Sequence, residues 1–217
     1  FFGLTVVIHT AIGGYKGVVL NDTLQGVVMT IATMVLFAGV LIKGGGISNI
    51  VQNMKAINPG MITPFGVEEG FMTKPWVTSY WVLVGFATIG LPSIAQRAMS
   101  YKDSDSLNKG IKYGTVVSIL ILVGMHLVGA FGSTLVSGIE SGDLVIPALA
   151  TQLFPSLIAG ILLAGPLAAV MSTVDSQLLV VVGAIVNDLI INYIRPKLKE
   201  DQHKVSQLTI IWAVILG

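Results

Sequence analysis

The chain has 217 residues, of which 53% are hydrophobic and only 11% charged, with a formal net charge of +1 and no cysteine. Soluble domains carry about a quarter charged residues, so this composition excludes an ordinary soluble domain, and the lack of thiols excludes disulfides and cysteine-held metals. The near-neutral balance offers no electrostatic footprint for nucleic acid, and no such partner is expected.

A bilayer-crossing helix needs about 20 mainly apolar residues. In chain order, apolar runs predict a partial span over 1–13, complete spans over 23–42, 76–96, 111–135 and 157–192, and a partial span over 208–217. The expected fold class is all-α, a polytopic membrane protein. Because residue 1 is Phe and both ends are half-spans, we expect a piece of a longer protein. If the spans alternate, Lys16, Arg97, Lys102, Lys109, Lys112, Arg195, Lys197, Lys199 and Lys204, nine of the twelve Lys and Arg, share one side. The positive-inside rule makes that side cytoplasmic, and the span from 157 runs inward.

Ahead of the span at 23, Asn21 or Asp22 suits an N-cap that satisfies orphan backbone donors. The outer loop 43–75 carries apolar Ile47, Ile50, Val51 and Met54 at helical spacing, which predicts a short amphipathic helix lying on the protein or the interface. In the next span Gly90 and Pro92 interrupt the apolar run at GLPS. Such a break either tunes packing or exposes backbone groups to a substrate. Arg97 at its end reads as a positive-inside anchor. His126 is a lone imidazole, and a hydrogen bond across a helix seam accounts for it better than a proton relay.

The span 157–192 holds an unusual polar group, Ser172, Thr173, Asp175 and Ser176. At about 100° per residue, Gly165, Ala169, Ser172, Ser176 and Gly183 fall within about 60° of one helix face, and all are small. From the residues alone this face serves either as a packing seam or as a site for a cation or polar ligand. An ionised Asp at mid-bilayer costs about 2.5–3.5 kcal/mol on insertion scales, so intramembrane acids usually face a cavity or partner. Pro166 also frees a carbonyl about four residues earlier. For a cation the chemistry is specific. Sodium is a hard ion that prefers oxygen, and moderately binding hydroxyls and carbonyls allow its release. The hydroxyls of Ser172 and Thr173 with the Ala169 carbonyl make a half-site that a second element must complete.

These residues carry a family resemblance. GGYKGVVLNDTLQGVVM at 13–29, GLPSIAQRAMSYKDSDSLNKGIKYGT at 90–115, GMHLVGAFG at 124–132 and LAGPLAAVMSTVDSQLL at 163–179 resemble the solute:sodium symporter family. VLNDT, GLP, SYKDS and GMHL are most similar to its pantothenate-carrying branch. The resemblance implies part of a leucine-transporter-type fold of inverted repeats, without the first core helix, in the inner (plasma) membrane. It implies co-transported sodium held by the Ser172 and Thr173 hydroxyls and the Ala169 carbonyl, with Asp22 beside the route by which sodium leaves for the cytoplasm. It also places Trp81, Thr88, Pro92, Ser93 and Gln96 on the side of a cavity for a small solute, pantothenate or a similar molecule. Asp175 lies outside the family's ion motif. Its state stays open between a neutral acid, a salt bridge to an absent helix, and a place beside a polar passage.

Two rivals remain: symport of another solute (proline, another carboxylate or a sugar) and an intramembrane hydrolase using Ser172 or Ser176 with His126 and Asp175. No nucleophile-elbow motif or oxyanion donor accompanies the latter, so no enzyme is expected.

Overall fold

The computed structural model describes the backbone of residues 2–67, 70 and 72–216, and the side chains of these apart from Phe2, Gln202, His203 and Ser206. Glu68, Glu69 and Phe71 of the outer loop, and Phe1 and Gly217 of the two partial spans, lie outside the described residues. Among the described residues all regular structure is helical. The helices are α1 (Phe2–Lys43), α2 (Ile47–Ile57), α3 (Lys74–Ile89), α4 (Pro92–Met99), α5 (Ser104–Gly132), α6 (Val145–Leu153), α7 (Ser156–Gly183) and α8 (Gln202–Leu216). Helix α7 continues as a π-helix over Ala184–Ile194. Three stretches are long and apolar enough to cross a membrane, Gly3–Lys43, Ser104–Gly132 and Ser156–Ile194. A fourth is counted if α3 and α4, bent by 47°, act as one. The bend falls at the GLPS break, where Leu91 takes an extended conformation (φ −70°, ψ 123°) and Pro92 starts α4.

The chain divides into two compact units, Met29–Gly165 and Phe1–Val28 with Pro166–Gly217. In Met29–Gly165 the core is built from Leu36 and Val40 of α1, Ile50 of α2, Val128 of α5 and Leu149 of α6, all fully buried. Lipid is as apolar as leucine, so close contact rather than flight from water holds such helices together. Glycines supply that closeness. A Cβ on Gly39 would meet the Phe154 ring, one on Gly132 the Leu149 side chain, one on Gly124 the Thr33 methyl, and one on Gly165 the Ala32 Cβ at 2.8 Å. Phe37 and Phe131 stack at 6.5 Å between centroids.

The outer loop begins with a sharp reversal. Gly45 and Gly46 have φ of 74° and 91°, conformations that disfavour any residue with a Cβ, and the N–H groups of Gly44 and Gly46 close on the carbonyls of Val40 and Leu41. That turn lays α2 onto the unit with Ile50 and Met54 in the core, Val51 at its rim and Ile47 exposed. The amphipathic stretch therefore lies on the protein. At the start of α5, Asp103 caps the helix by accepting from the Ser106 N–H at 2.7 Å. The backbone and then the side chain of Ser106 hold its carboxyl below the usual Asp range. The cap is complete above that range and is lost as pH falls through the lowered value.

The other unit contains a break inside α1. Gly14 has φ 53° and ψ −157°, outside what an L-residue tolerates. Asn21 and Asp22 consequently lie in the interior of the helix that continues from this break, not at its start. The N-cap reading is corrected: the polar pair marks no helix end, because the chain has already turned at Gly14. Ala11 of α1, Leu178 and Val182 of α7, Val186 and Ile191 of the π-helix and Ala213 of α8 form this unit's apolar core.

Candidate functional site

The residues expected to form the half-site, Ala169, Ser172 and Thr173, lie together along about one turn of α7. The Thr173 hydroxyl donates to the Ala169 carbonyl at 3.0 Å, and the Ser176 hydroxyl donates to the Ser172 carbonyl at 2.8 Å. Two oxygens 3.0 Å apart can both reach one hard cation about 2.4 Å from each. The ion must then turn the Thr173 hydroxyl hydrogen away from the carbonyl. Ser172 is half-buried and Thr173 exposed. Among the described residues no other helix hydrogen-bonds to either hydroxyl.

The small face foreseen on α7 grades from cover to exposure. Gly165 and Ser176 are buried, while Ala169, Ser172 and Gly183 are half-buried. Asp175 points about 160° around the helix from Thr173 and is completely buried. No lysine or arginine pairs with it among the described residues. Its Oδ1 accepts from the Thr10 hydroxyl at 2.5 Å, and its Oδ2 accepts from the Asn21 amide at 3.3 Å. His9 Nδ1 stands 3.7 Å from Oδ2.

Asp22 is half-buried on the same unit. One turn further along α1, Gln25 is 7% exposed, and its Oε1 has no hydrogen-bond partner among the described residues. His9, Thr10, Asn21 and Gln25 were not singled out as a polar group by the sequence. Gln25 was within reach, since a Gln three residues after Asp22 and four after Asn21 shares their helix face. Thr10 and His9 carry no such signal.

In Met29–Gly165 the expected solute-facing residues flank the 47° bend. Trp81, Thr88 and Pro92 are exposed, and Ser93 and Gln96 are half-buried. The Thr88 hydroxyl donates to the Val84 carbonyl at 2.6 Å, so its oxygen still has room to accept from a ligand. The Leu91 N–H reaches only the Thr88 carbonyl, at 3.4 Å. The Leu91 N–H is thus the loosely committed backbone donor at the break. The hydrolase rival finds less support. His126 Nδ1 bonds to the Leu122 carbonyl at 2.6 Å, and Asp175 is occupied by Thr10 and Asn21.

The family model described as Sodium:solute symporter family matches residues 1–217. The chain is 43% identical over 216 residues to the Sodium/pantothenate symporter of Escherichia coli (strain K12), covering 100% of this chain and 44% of that protein. It is 40% identical to the Sodium/pantothenate symporter of Haemophilus influenzae (strain ATCC 51907 / DSM 11121 / KW20 / Rd), covering 99% and 44%. It is 28% identical to the Osmoregulated proline transporter OpuE of Bacillus subtilis (strain 168), covering 91% and 40%. The chain thus spans 44% of the length of the first two relatives. No solved structure matches. With regular structure that is all helical among the described residues, three helices long and apolar enough to cross a membrane, and one family model matching residues 1–217, the chain belongs to the sodium:solute symporter family.

Proposed function

We propose that the protein of which this chain is part carries pantothenate into the cell together with sodium, across the inner (plasma) membrane. The observation that carries the sodium part is the α7 turn, where the Thr173 hydroxyl and Ala169 carbonyl lie 3.0 Å apart beside Ser172. The chain's 43% and 40% identity to two proteins named sodium/pantothenate symporters supports the solute, with the proline transporter more distant at 28%.

The mechanism follows from charge and geometry. Sodium binds first at Ala169, Ser172 and Thr173, with further ligands from another helix, and favours the outward-open cavity. The solute then docks along the bend that carries Trp81, Thr88, Pro92, Ser93 and Gln96. Asp22 stands on the cytoplasmic route out, where its charge offers the departing ion a second foothold. A unit charge moving through 100 mV gains about 2.3 kcal/mol, so one sodium with one monovalent anion draws nothing from the membrane potential. Uptake at that ratio runs on the sodium gradient alone.

The test is uptake of labelled pantothenate by the full-length protein in proteoliposomes, with an inward sodium gradient or potassium in its place. Accumulation is expected only with sodium, suppressed by unlabelled pantothenate and not by proline. Accumulation suppressed by proline instead reassigns the solute, and accumulation indifferent to sodium overturns the coupling.

A further inference from the structure

Asp175 plays no part in the sodium half-site, yet it is the most deeply buried acid of its unit, at 0% exposure. Its two oxygens divide their partners in an instructive way. Thr10, bound to Oδ1, lies before the Gly14 break in α1, and Asn21, bound to Oδ2, lies after it. In a straight helix these two residues would be about 16 Å apart along the axis, too far for one carboxyl to hold both. The break at Gly14 brings them within reach of one side chain, and that side chain in turn holds the two arms at a fixed bend. Thr10 is itself 1% exposed, so neither end of the shorter bond is solvated. On α7, Asp175 lies within one turn of Ser172 and Thr173.

We propose that Asp175 is a positioning residue: it staples the two arms of α1 across the Gly14 break and thereby holds the Ser172–Thr173 turn in its ion-binding arrangement. The arm after the break carries Asp22 and Gln25, so the staple also fixes where these polar groups stand relative to α7. His9, facing Oδ2 at 3.7 Å, is the titratable side chain beside the staple. The inference rests on sodium binding at Ser172 and Thr173 as proposed above.

Thr10 is the better residue to alter, because changing it leaves the Asp175 carboxyl in place. In the full-length protein, Thr10→Val keeps the shape and removes the hydroxyl, while Thr10→Ser restores it. Thr10→Val is expected to raise the sodium concentration for half-maximal uptake about fivefold, with the rate at saturating sodium within about twofold of the parent. Thr10→Ser is expected to behave as the parent. A buried pair that only stabilises folding would lower the amount of active protein and leave the sodium dependence unmoved, and that result overturns the proposal. If Thr10→Val does not insert, spin labels at the exposed positions Leu4 and Leu24, one on each arm, give a second measure in the otherwise unaltered protein. Sodium is expected to narrow their distance distribution, and a distribution identical with and without sodium overturns the proposal. Should Ser172→Ala with Thr173→Ala shift the sodium dependence while Thr10→Val does not, the staple fails and the ion site stands. If neither variant shifts it, the ion site itself has failed.

Discussion

Replacing Ser172 and Thr173 together by alanine is expected to raise the sodium needed for half-maximal uptake by at least about tenfold, or to abolish sodium-driven uptake. The magnitude follows from the donor set. The proposed site takes three ligands from α7, and the double change removes two of them while leaving the Ala169 carbonyl. That carbonyl currently accepts the Thr173 hydroxyl at 3.0 Å, so Thr173→Val isolates one contribution without altering side-chain volume. A carbonyl alone is no better than the many others along an apolar helix. Transport rates across a sodium titration in proteoliposomes check this, with substrate held saturating. The helix should survive the change, since alanine has the highest helix propensity of all residues.

The second large effect concerns folding. Gly165→Leu is expected to destabilise the full-length protein by about 1–3 kcal/mol, the usual cost of overpacking, even though leucine gains about 1 kcal/mol over glycine in helix propensity. The reason is the nature of the obstacle. A Cβ at Gly165 would stand 2.8 Å from the Ala32 Cβ, an atom fixed directly to the backbone, so α1 and α7 must separate there. Gly160, five residues earlier on α7, has no atom within 4 Å of such a Cβ. Gly160→Leu is therefore the matched control, and its thermal midpoint in detergent should stay at or above the parent value while that of Gly165→Leu falls.

Much of the helical plan was legible because lipid imposes one rule on every span. The apolar runs that end near Lys43 and begin near Leu157 reappear as the ends of α1 and α7, the GLPS break reappears as the 47° bend, and the spacing of Ile50 and Met54 gave α2. The small face of α7 was legible for the same reason: side chains a turn apart share a face whatever surrounds them. What was hidden is tertiary. The bond from Thr10 to Asp175 joins residues 165 apart, and no local periodicity encodes it. Asn21 and Asp22 were misread as a cap because a polar pair ahead of an apolar run looks the same whether a helix starts there or arrives from an earlier break. Gly13-Gly14 was the available sign of that break. The π-helix over Ala184–Ile194 left no trace either, since an apolar run does not reveal how its backbone hydrogen bonds are spaced.

All of this turns on whether the oxygens at Ala169, Ser172 and Thr173 hold sodium. Equilibrium binding of radioactive sodium to the purified full-length protein, with and without Thr173→Val, measures that without transport or substrate. Saturable binding that the valine variant weakens severalfold, and that potassium does not displace, is the predicted result. Equal sodium binding by the two proteins would contradict it.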